Sequence, residues 1–447
     1  MTLRVIAVLA AALAVLVSAG PPAGAISPPE VDSETAPPPG NSGPTQPMAR
    51  RGACVTTGVM PGTDPRAATP NQLSFNLSEA WQHSRGDGQT VAVIDTGVQP
   101  GPRLPNVEAG GDFVAATDGL TDCDGHGTLV AGLIAGQPGD DGFSGVAPGA
   151  RLISIRQTSA KYAPRISGGD PTLARAAVDV ASLARAVVRA ADLGARVINI
   201  SAVTCLAANK SIDQKELGAA LKYAAVQKGA VIVAAAGNIR GGLATGSACE
   251  SNPGDWAGVT SVSIPSWWQQ FVLSVGSVTA SGQASEFTMA GPWLGVAAPG
   301  EHIVSVSNGP GGGLANGLPN DQNEMFPISG TSYAAAYVSG VAALVRSKFP
   351  NLTAAQVIHR ITATAHGAAR SPSNLVGAGG VNAVAALTWD VPEKADADPA
   401  AVRAVAAPPT PPAEDNTPRN IALIGTAVLV LVALAAIGMH RRKDPIT

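Results

Sequence analysis

Apolar and polar positions alternate in two rhythms along this chain. Short apolar runs mark strands, and longer stretches with a three-to-four residue repeat mark helices. Val91-Ala92-Val93-Ile94, Arg151-Leu152-Ile153-Ser154-Ile155, Val197-Ile198-Asn199-Ile200 and Val231-Ile232-Val233-Ala234-Ala235-Ala236 are strand runs. Between them lie helical stretches: Leu129 to Ile134, Leu173 to Leu193 before Gly194, and Asp213 to Gln227 before Gly229. Further strands are expected near Val259–Ile264, Val272–Val278 and Gly295–Ala298, and a last amphipathic helix from Leu352 to Ala365. Strands alternating with helices predict an α/β fold with a mainly parallel sheet covered on both faces. Such a sheet gathers its functional groups at the carboxyl ends of its strands.

One helix departs from the amphipathic pattern. After Ile328-Ser329-Gly330-Thr331-Ser332 the chain runs Tyr333-Ala334-Ala335-Ala336-Tyr337-Val338-Ser339-Gly340, then Val341, Ala342, Leu344 and Val345, until Pro350. A helix apolar on all sides is buried in a large core. Its first turn carries unpaired N–H groups and positive potential, which favour a developing negative charge. Ser332 sits there, as a nucleophile or as an ordinary Ser/Thr cap.

Both ends read as addresses. Arg4, the apolar run Val5 to Val17 and the small residues Ala23-Gly24-Ala25 predict a secretory signal over residues 1–25. Residues 26–90 form an extension whose first part is rich in Pro, Ser and Gly, with one short helical stretch near Leu77–His83. The folded domain is expected over 91–390, a proline-rich linker over 391–420, and an apolar run over 421–439. At ~1.5 Å per residue that run spans ~28 Å, about one hydrocarbon core. His440-Arg441-Arg442-Lys443 follows it, which places the tail 440–447 in the cytoplasm and the domain on the extracytoplasmic side of the cytoplasmic membrane.

The net charge of −3 over 447 residues gives no basic field for nucleic acid. Cys54, Cys123, Cys205 and Cys249 form no C-x-x-C pair, so zinc is not expected; no convincing carboxylate cluster points to calcium or another metal, and no cofactor is expected. In an exported chain they predict two disulfides; of the three pairings, Cys54–Cys123 with Cys205–Cys249 is the one expected.

Three residues could share one chemistry. Asp95 ends the first core strand, His126 stands between glycines at a helix start, and Ser332 opens the buried helix. Serine needs a base beside it, histidine is suited to that role near neutral pH, and a carboxylate can fix the tautomer of the imidazole. Taken singly, Asp95-Thr96-Gly97 is also a turn after a strand, and His126 a core histidine. An aspartic protease is disfavoured because no second Asp-Thr-Gly exists. Asn238, after Gly237 at a strand end, could donate to an oxyanion or simply form a turn. A lipase is disfavoured because Gly330-Thr331-Ser332 lacks the G-x-S-x-G elbow.

Taken together, Asp95-Thr96-Gly97, His126-Gly127-Thr128 through Ala131-Gly132, Ala236-Gly237-Asn238 and Gly330-Thr331-Ser332 resemble, in order, the motifs of the subtilisin-type serine proteases. The resemblance implies a three-layer αβα fold and a serine endopeptidase. Asp95 would orient His126, His126 would act as base and then acid, and Ser332 would attack the peptide carbonyl. Asn238 and the Ser332 N–H would form the oxyanion hole. Ser201, Ala202, Val203, Ala235 and Gly237 would line the substrate. Two departures stand out: Ala336 where most of that family has proline, which predicts a slightly relocated serine, and Ser201-Ala202-Val203 where Ser-Leu-Gly is usual, which predicts a narrower groove. The order of signal, arm, protease core, linker and membrane helix is similar to the mycosins, membrane-anchored proteases of mycobacterial type VII secretion. Arg51-Gly52-Ala53-Cys54 and Asn106 to Phe113 look most like the mycosin of the third, iron-acquisition-linked cluster. That likeness implies protein substrates, partners in the secretion membrane complex, and a structural role beside the pore as the alternative to proteolysis. The arm before Asp95 is expected to stay on the enzyme as a wrap.

Overall fold

A computed structural model describes residues 26–392, apart from 166–169, 240–243, 247, 321 and 369–371. The expected signal segment, most of the linker, the apolar run 421–439 and the tail lie outside the described residues. Among the described residues no helix is long and apolar enough to cross a membrane.

The centre is a nine-stranded sheet. Its strands are β1 (Thr90–Asp95), β2 (Val107–Asp112), β3 (Arg151–Arg156), β4 (Val197–Ile200), β5 (Val231–Ala235), β6 (Val272–Val278), β7 (Leu294–Pro299), and the two-residue edges β8 (His366–Gly367) and β9 (Gly379–Gly380). Their order is β8-β9-β7-β6-β5-β4-β1-β3-β2. Every pairing is parallel except β8 with β9. β1, β4 and β5 are buried at every residue, as strands covered on both faces must be. Continuous apolar runs, rather than alternation, were therefore their signature.

Five helices matter for the site: α1 (His126–Ala135), α2 (Pro171–Asp192), α3 (Lys215–Lys222), α4 (Thr331–Lys348) and α5 (Ala354–Ala363). α1 packs on α4 and α2 on α3, two separate pairs that both lie against the sheet. α2 starts where Asp170 caps Thr172 N–H and Pro171 pre-sets the first helical φ. The stretch 213–227 divides: α3 ends at Lys222 and the chain widens into a π-helical turn, Tyr223–Gln227. The helical stretch near Leu77–His83 is shorter than expected, Leu77–Ala80, after a separate turn of helix at Pro70–Ser74.

α4 is buried from Thr331 to Arg346 and touches β1, β4, β5, β6 and β7. Its packing leaves no room at Gly340, where a Cβ would stand 2.5 Å from Val146 Cβ. Ser339, a polar residue in that apolar helix, donates to Asn199 Oδ1 at 2.9 Å. Ala336 is fully buried and the helix runs unbroken through it.

The arm lies on the domain along much of its length. Gly43 N–H donates to the Asp112 carbonyl at 2.7 Å, and Met48–Arg50 pairs antiparallel with Tyr162–Pro164. Val55 N–H donates to the Cys123 carbonyl, and Gly58 bridges Gly317. Cys54–Cys123 and Cys205–Cys249 are both bonded, the pairing expected. The exposed Lys215–Asp32 ion pair at 3.0 Å contributes little beside these backbone and covalent ties.

Candidate active site

The site assembles at the carboxyl end of the sheet. β1 delivers Asp95 as its last residue, and α1 begins at His126. Gly127 lets the two segments meet: a Cβ there would lie 2.0 Å from the Gly97 carbonyl oxygen. Asp95 Oδ1 is 2.8 Å from His126 Nδ1 and also accepts the Thr96 N–H at 2.7 Å. Asp95 is fully buried and His126 nearly so. A carboxylate on Nδ1 places the proton there and leaves Nε2 as the basic nitrogen.

Two further carboxylates stand behind this pair. Asp122 accepts from Thr96 Oγ1, from Thr128 N–H and Oγ1, and from Asp124 and Gly125 N–H. That network pins the start of α1 to the end of β1. Burial pushes Asp122 up to about 6 against the pull of those donors. Asp124 accepts from Ser159 Oγ and Ala160 N–H, and burial raises its pKa too. For His126, burial is the largest single influence and acts downward. Asp95, Asp122 and Asp124 together outweigh it, so the imidazole titrates above its ordinary value. The two acids missed in the sequence flank Cys123 four and two residues before His126. Acid groups so close to a candidate base were the signal that could have found them.

Ser332 is the second residue of α4 and nearly buried. Its Oγ donates to the Ser201 carbonyl at 3.1 Å rather than to His126. Hydrogen bonds between a catalytic hydroxyl and its base often form or tighten only with substrate bound. Asn238 is held by its acceptor end: Oδ1 receives the Thr331 N–H at 3.0 Å and Thr331 Oγ1 at 3.1 Å. The amide nitrogen is thereby turned away from Thr331, and a Cβ on Gly330 would lie 3.5 Å from it. Gly237 reaches φ +109°, open to glycine but not to side-chain-bearing residues, and so turns Asn238 into the site.

A cavity of about 330 Å³ joins these groups. His126, Asn238, Gly330, Ser332 and Tyr333 line it, together with Asp124, Lys161 and an apolar wall containing Leu318 and Phe326. The Tyr333 ring lies 5.1 Å from the imidazole, centroid to centroid. Of the expected substrate-lining residues, Ser201 reaches Ser332 through its carbonyl, and Gly237 N–H accepts no such role but donates to Thr331 Oγ1. Ser201, Ala202, Val203, Ala235 and Gly237 stand at or just beyond strand ends, and none of the five is in the cavity's lining. Among the described residues no group of three His, Cys, Asp or Glu could hold a metal ion. The arrangement can deprotonate a hydroxyl, stabilise an oxyanion and protonate a leaving group.

Comparison with known proteins agrees with this geometry. The subtilase family model matches residues 86–379. Mycosin-3 of Mycobacterium tuberculosis is 61% identical over 439 residues, covering 95% of each chain. Mycosin-1 of Mycolicibacterium smegmatis is 43% identical over 457 residues, covering 98% of this chain and 99% of the other. The structure of MycP3 protease from the type VII (ESX-3) secretion system superposes with a TM-score of 0.79 at 71% identity, over 82% of this chain and all of that one. A chain of an intact ESX-5 inner membrane complex matches with a TM-score of 0.79 at 45% identity, over 93% of this chain and all of that one. This chain belongs to the subtilase family, among its mycosins, and is a subtilisin-like serine protease.

Proposed function

We propose that this protease hydrolyses peptide bonds of secreted proteins with Asp95, His126 and Ser332, at the outer face of the cytoplasmic membrane and in association with a type VII secretion complex. The observation that carries the chemistry is the 2.8 Å contact of His126 Nδ1 with Asp95 Oδ1, opening onto the cavity that Ser332 lines. In the proposed reaction Ser332 rotates off the Ser201 carbonyl, His126 Nε2 takes its proton, and Oγ attacks the scissile carbonyl. The oxyanion is received by the Asn238 amide and the Ser332 N–H. His126 then protonates the leaving amine, and water repeats the sequence on the acyl-enzyme. Ser201, Ala202 and Val203, with Ala235 and Gly237, flank the acyl side of the substrate.

The layout proposed around this core is a cleaved signal (1–25), a retained arm (26–90), a linker (391–420), one membrane helix (421–439) and a short cytoplasmic tail. Retention of the arm is supported by its disulfide to Cys123, three residues before His126, and by its pairing with Tyr162–Pro164. A second reading is favoured by the match to a chain inside the ESX-5 inner membrane complex: the protein holds the secretion complex together and its catalysis is dispensable. Ser332→Ala, scored for peptide cleavage and separately for secretion, separates the two. Loss of cleavage with loss of secretion supports the protease reading. Loss of cleavage with secretion intact, while deletion of the protein abolishes secretion, supports the scaffold.

A further inference from the structure

We propose that this protease chooses its substrates on the leaving-group side of the scissile bond, where a hairpin tied to the N-terminal arm offers a pocket for one apolar side chain. The proposal rests on the Ser332 chemistry given above. The hairpin pairs Gly317–Pro319 with Met325–Pro327, and its register sets Leu318 directly opposite Phe326. Residues opposite one another in an antiparallel pair point to the same face. Both line the cavity together with His126 and Tyr333, whose rings lie 5.1 Å apart. Phe326 is 52% exposed, a large aromatic left uncovered on the wall of a cleft.

The direction follows from the proton's path. The leaving amine must take its proton from His126, so it departs on the imidazole side of Ser332, into the cavity that His126, Tyr333 and the hairpin line together and that Ser201 to Val203, Ala235 and Gly237 do not. The opposite side offers little to a side chain. Ser332 Oγ rests on the Ser201 carbonyl, and Ala202 and Val203 are 8% and 5% exposed. Both edges of the strand that begins at Val203 are already taken, one by Ala244–Gly246 and the other by Ser261–Ile264. The acyl side is thus mostly backbone, whereas the leaving-group side carries shaped apolar surface.

The hairpin is also braced. Gly58 of the arm accepts the Asn316 and Gly317 N–H groups and donates to the Gly317 carbonyl, each at 3.0 Å. Met60 N–H donates to Asn316 Oδ1 at 2.7 Å, and Asn316 Nδ2 to Thr63 Oγ1 at 2.7 Å. Val55, beside the Cys54–Cys123 bond, lines the same cavity. The arm therefore builds one wall of the pocket and fixes another.

Acyl transfer tests this directly. The full chain is acylated with a p-nitrophenyl ester, and amino-acid amides compete with water for the acyl-enzyme. Leucine and phenylalanine amides occupy the leaving-group position and should capture the acyl group roughly tenfold better than glycine or aspartate amides, the scale of one buried apolar side chain. Phe326→Ser and Leu318→Ser should each shrink that ratio severalfold. Equal capture of all amides, or an apolar preference untouched in both variants, overturns the proposal. Ester turnover that survives Ser332→Ala overturns instead the assignment of the nucleophile, so the two failures are distinguishable.

Discussion

Replacing Gly127 with alanine sets two ordinary effects against each other. Gly127 is the second residue of α1, and alanine is favoured over glycine in a helix by about 1 kcal/mol. Propensity alone therefore predicts a more stable protein with intact activity. The site geometry predicts the reverse. The new Cβ would lie 2.0 Å from the Gly97 carbonyl oxygen, 3.1 Å from the Gly97 carbonyl carbon and 3.2 Å from Asp95 Oδ1. The first contact is more than 1 Å inside normal separation, and it is with backbone, which cannot swing aside. The Asp95–Thr96–Gly97 turn and the start of α1 must part by roughly 1 Å, enough to lengthen the 2.8 Å contact of His126 with Asp95 beyond hydrogen-bond range. Overpacking of this kind costs about 1–3 kcal/mol, and a 1 Å misplacement of a reacting group costs about 10²-fold in rate. The expected result is a Tm lowered by several degrees and kcat/KM reduced about a hundredfold on a chromogenic peptide. Gly258→Ala, where nothing lies within 4 Å, is the control and should change neither. A Gly127→Ala enzyme with raised Tm and full activity would refute the reasoning, because the two segments would then not be in the close contact that aligns the acid with the base.

Other expected outcomes follow from the same geometry. Asn238→Asp keeps the oxygen that anchors Thr331 but loses the donor, so the enzyme should stay folded while kcat falls about 10²–10³-fold; Asn238→Ala should lose stability as well, read as a lower Tm. Because the pKa of His126 is raised above 6.5, the acid limb of kcat/KM should have its midpoint above 6.5, with activity lost as pH falls through it. The stability contributed by the protonated His126–Asp95 pair has the opposite sign: it is full below about 6.5 and is lost as pH rises through the folded-state value, measurable as the difference in Tm between wild type and His126→Gln across pH. Arg346 is 2% exposed, its Nη1 has no hydrogen-bond partner among the described residues, and burial with Arg196 nearby lowers its pKa from 12.5 to about 10. Exchanging an uncompensated buried charge for an apolar chain of similar length should stabilise, so Arg346→Met should raise the denaturation midpoint by the equivalent of ~1–4 kcal/mol.

The sheet was legible because its strands are buried on both faces, and β1, β4 and β5 announce themselves as unbroken apolar runs. The buried α4 was legible for the same reason. β2 was not: Val107-Glu108-Ala109-Gly110-Gly111-Asp112 carries exposed residues at its start and a register shift, so no apolar run marks it. The division of 213–227 into α-helix and π-turn leaves no trace in side-chain pattern, since it is a matter of one hydrogen bond per turn. Asp95, His126, Asn238 and Ser332 were readable because each needs special backbone around it, and glycine writes that need into the text. The Leu318–Phe326 wall was not readable, because apolar residues in a loop look alike until the register of the hairpin is known. The arm was expected as a wrap tied down at Cys54–Cys123, but its pairing with Tyr162–Pro164 and its bonds to Gly317 were not readable, because an extended, proline-rich stretch carries no pattern that names its partners.

The central claim is that Ser332 is the hydroxyl activated by His126. A serine-directed phosphonate, followed by peptide mass mapping of the intact protein, addresses it most directly. The account predicts a single adduct on the peptide containing Ser332, absent in Ser332→Ala and slowed at least a thousandfold in His126→Ala, as expected for residues that act as a unit. An adduct on another serine, or labelling of Ser332 at the wild-type rate without the imidazole, would contradict it.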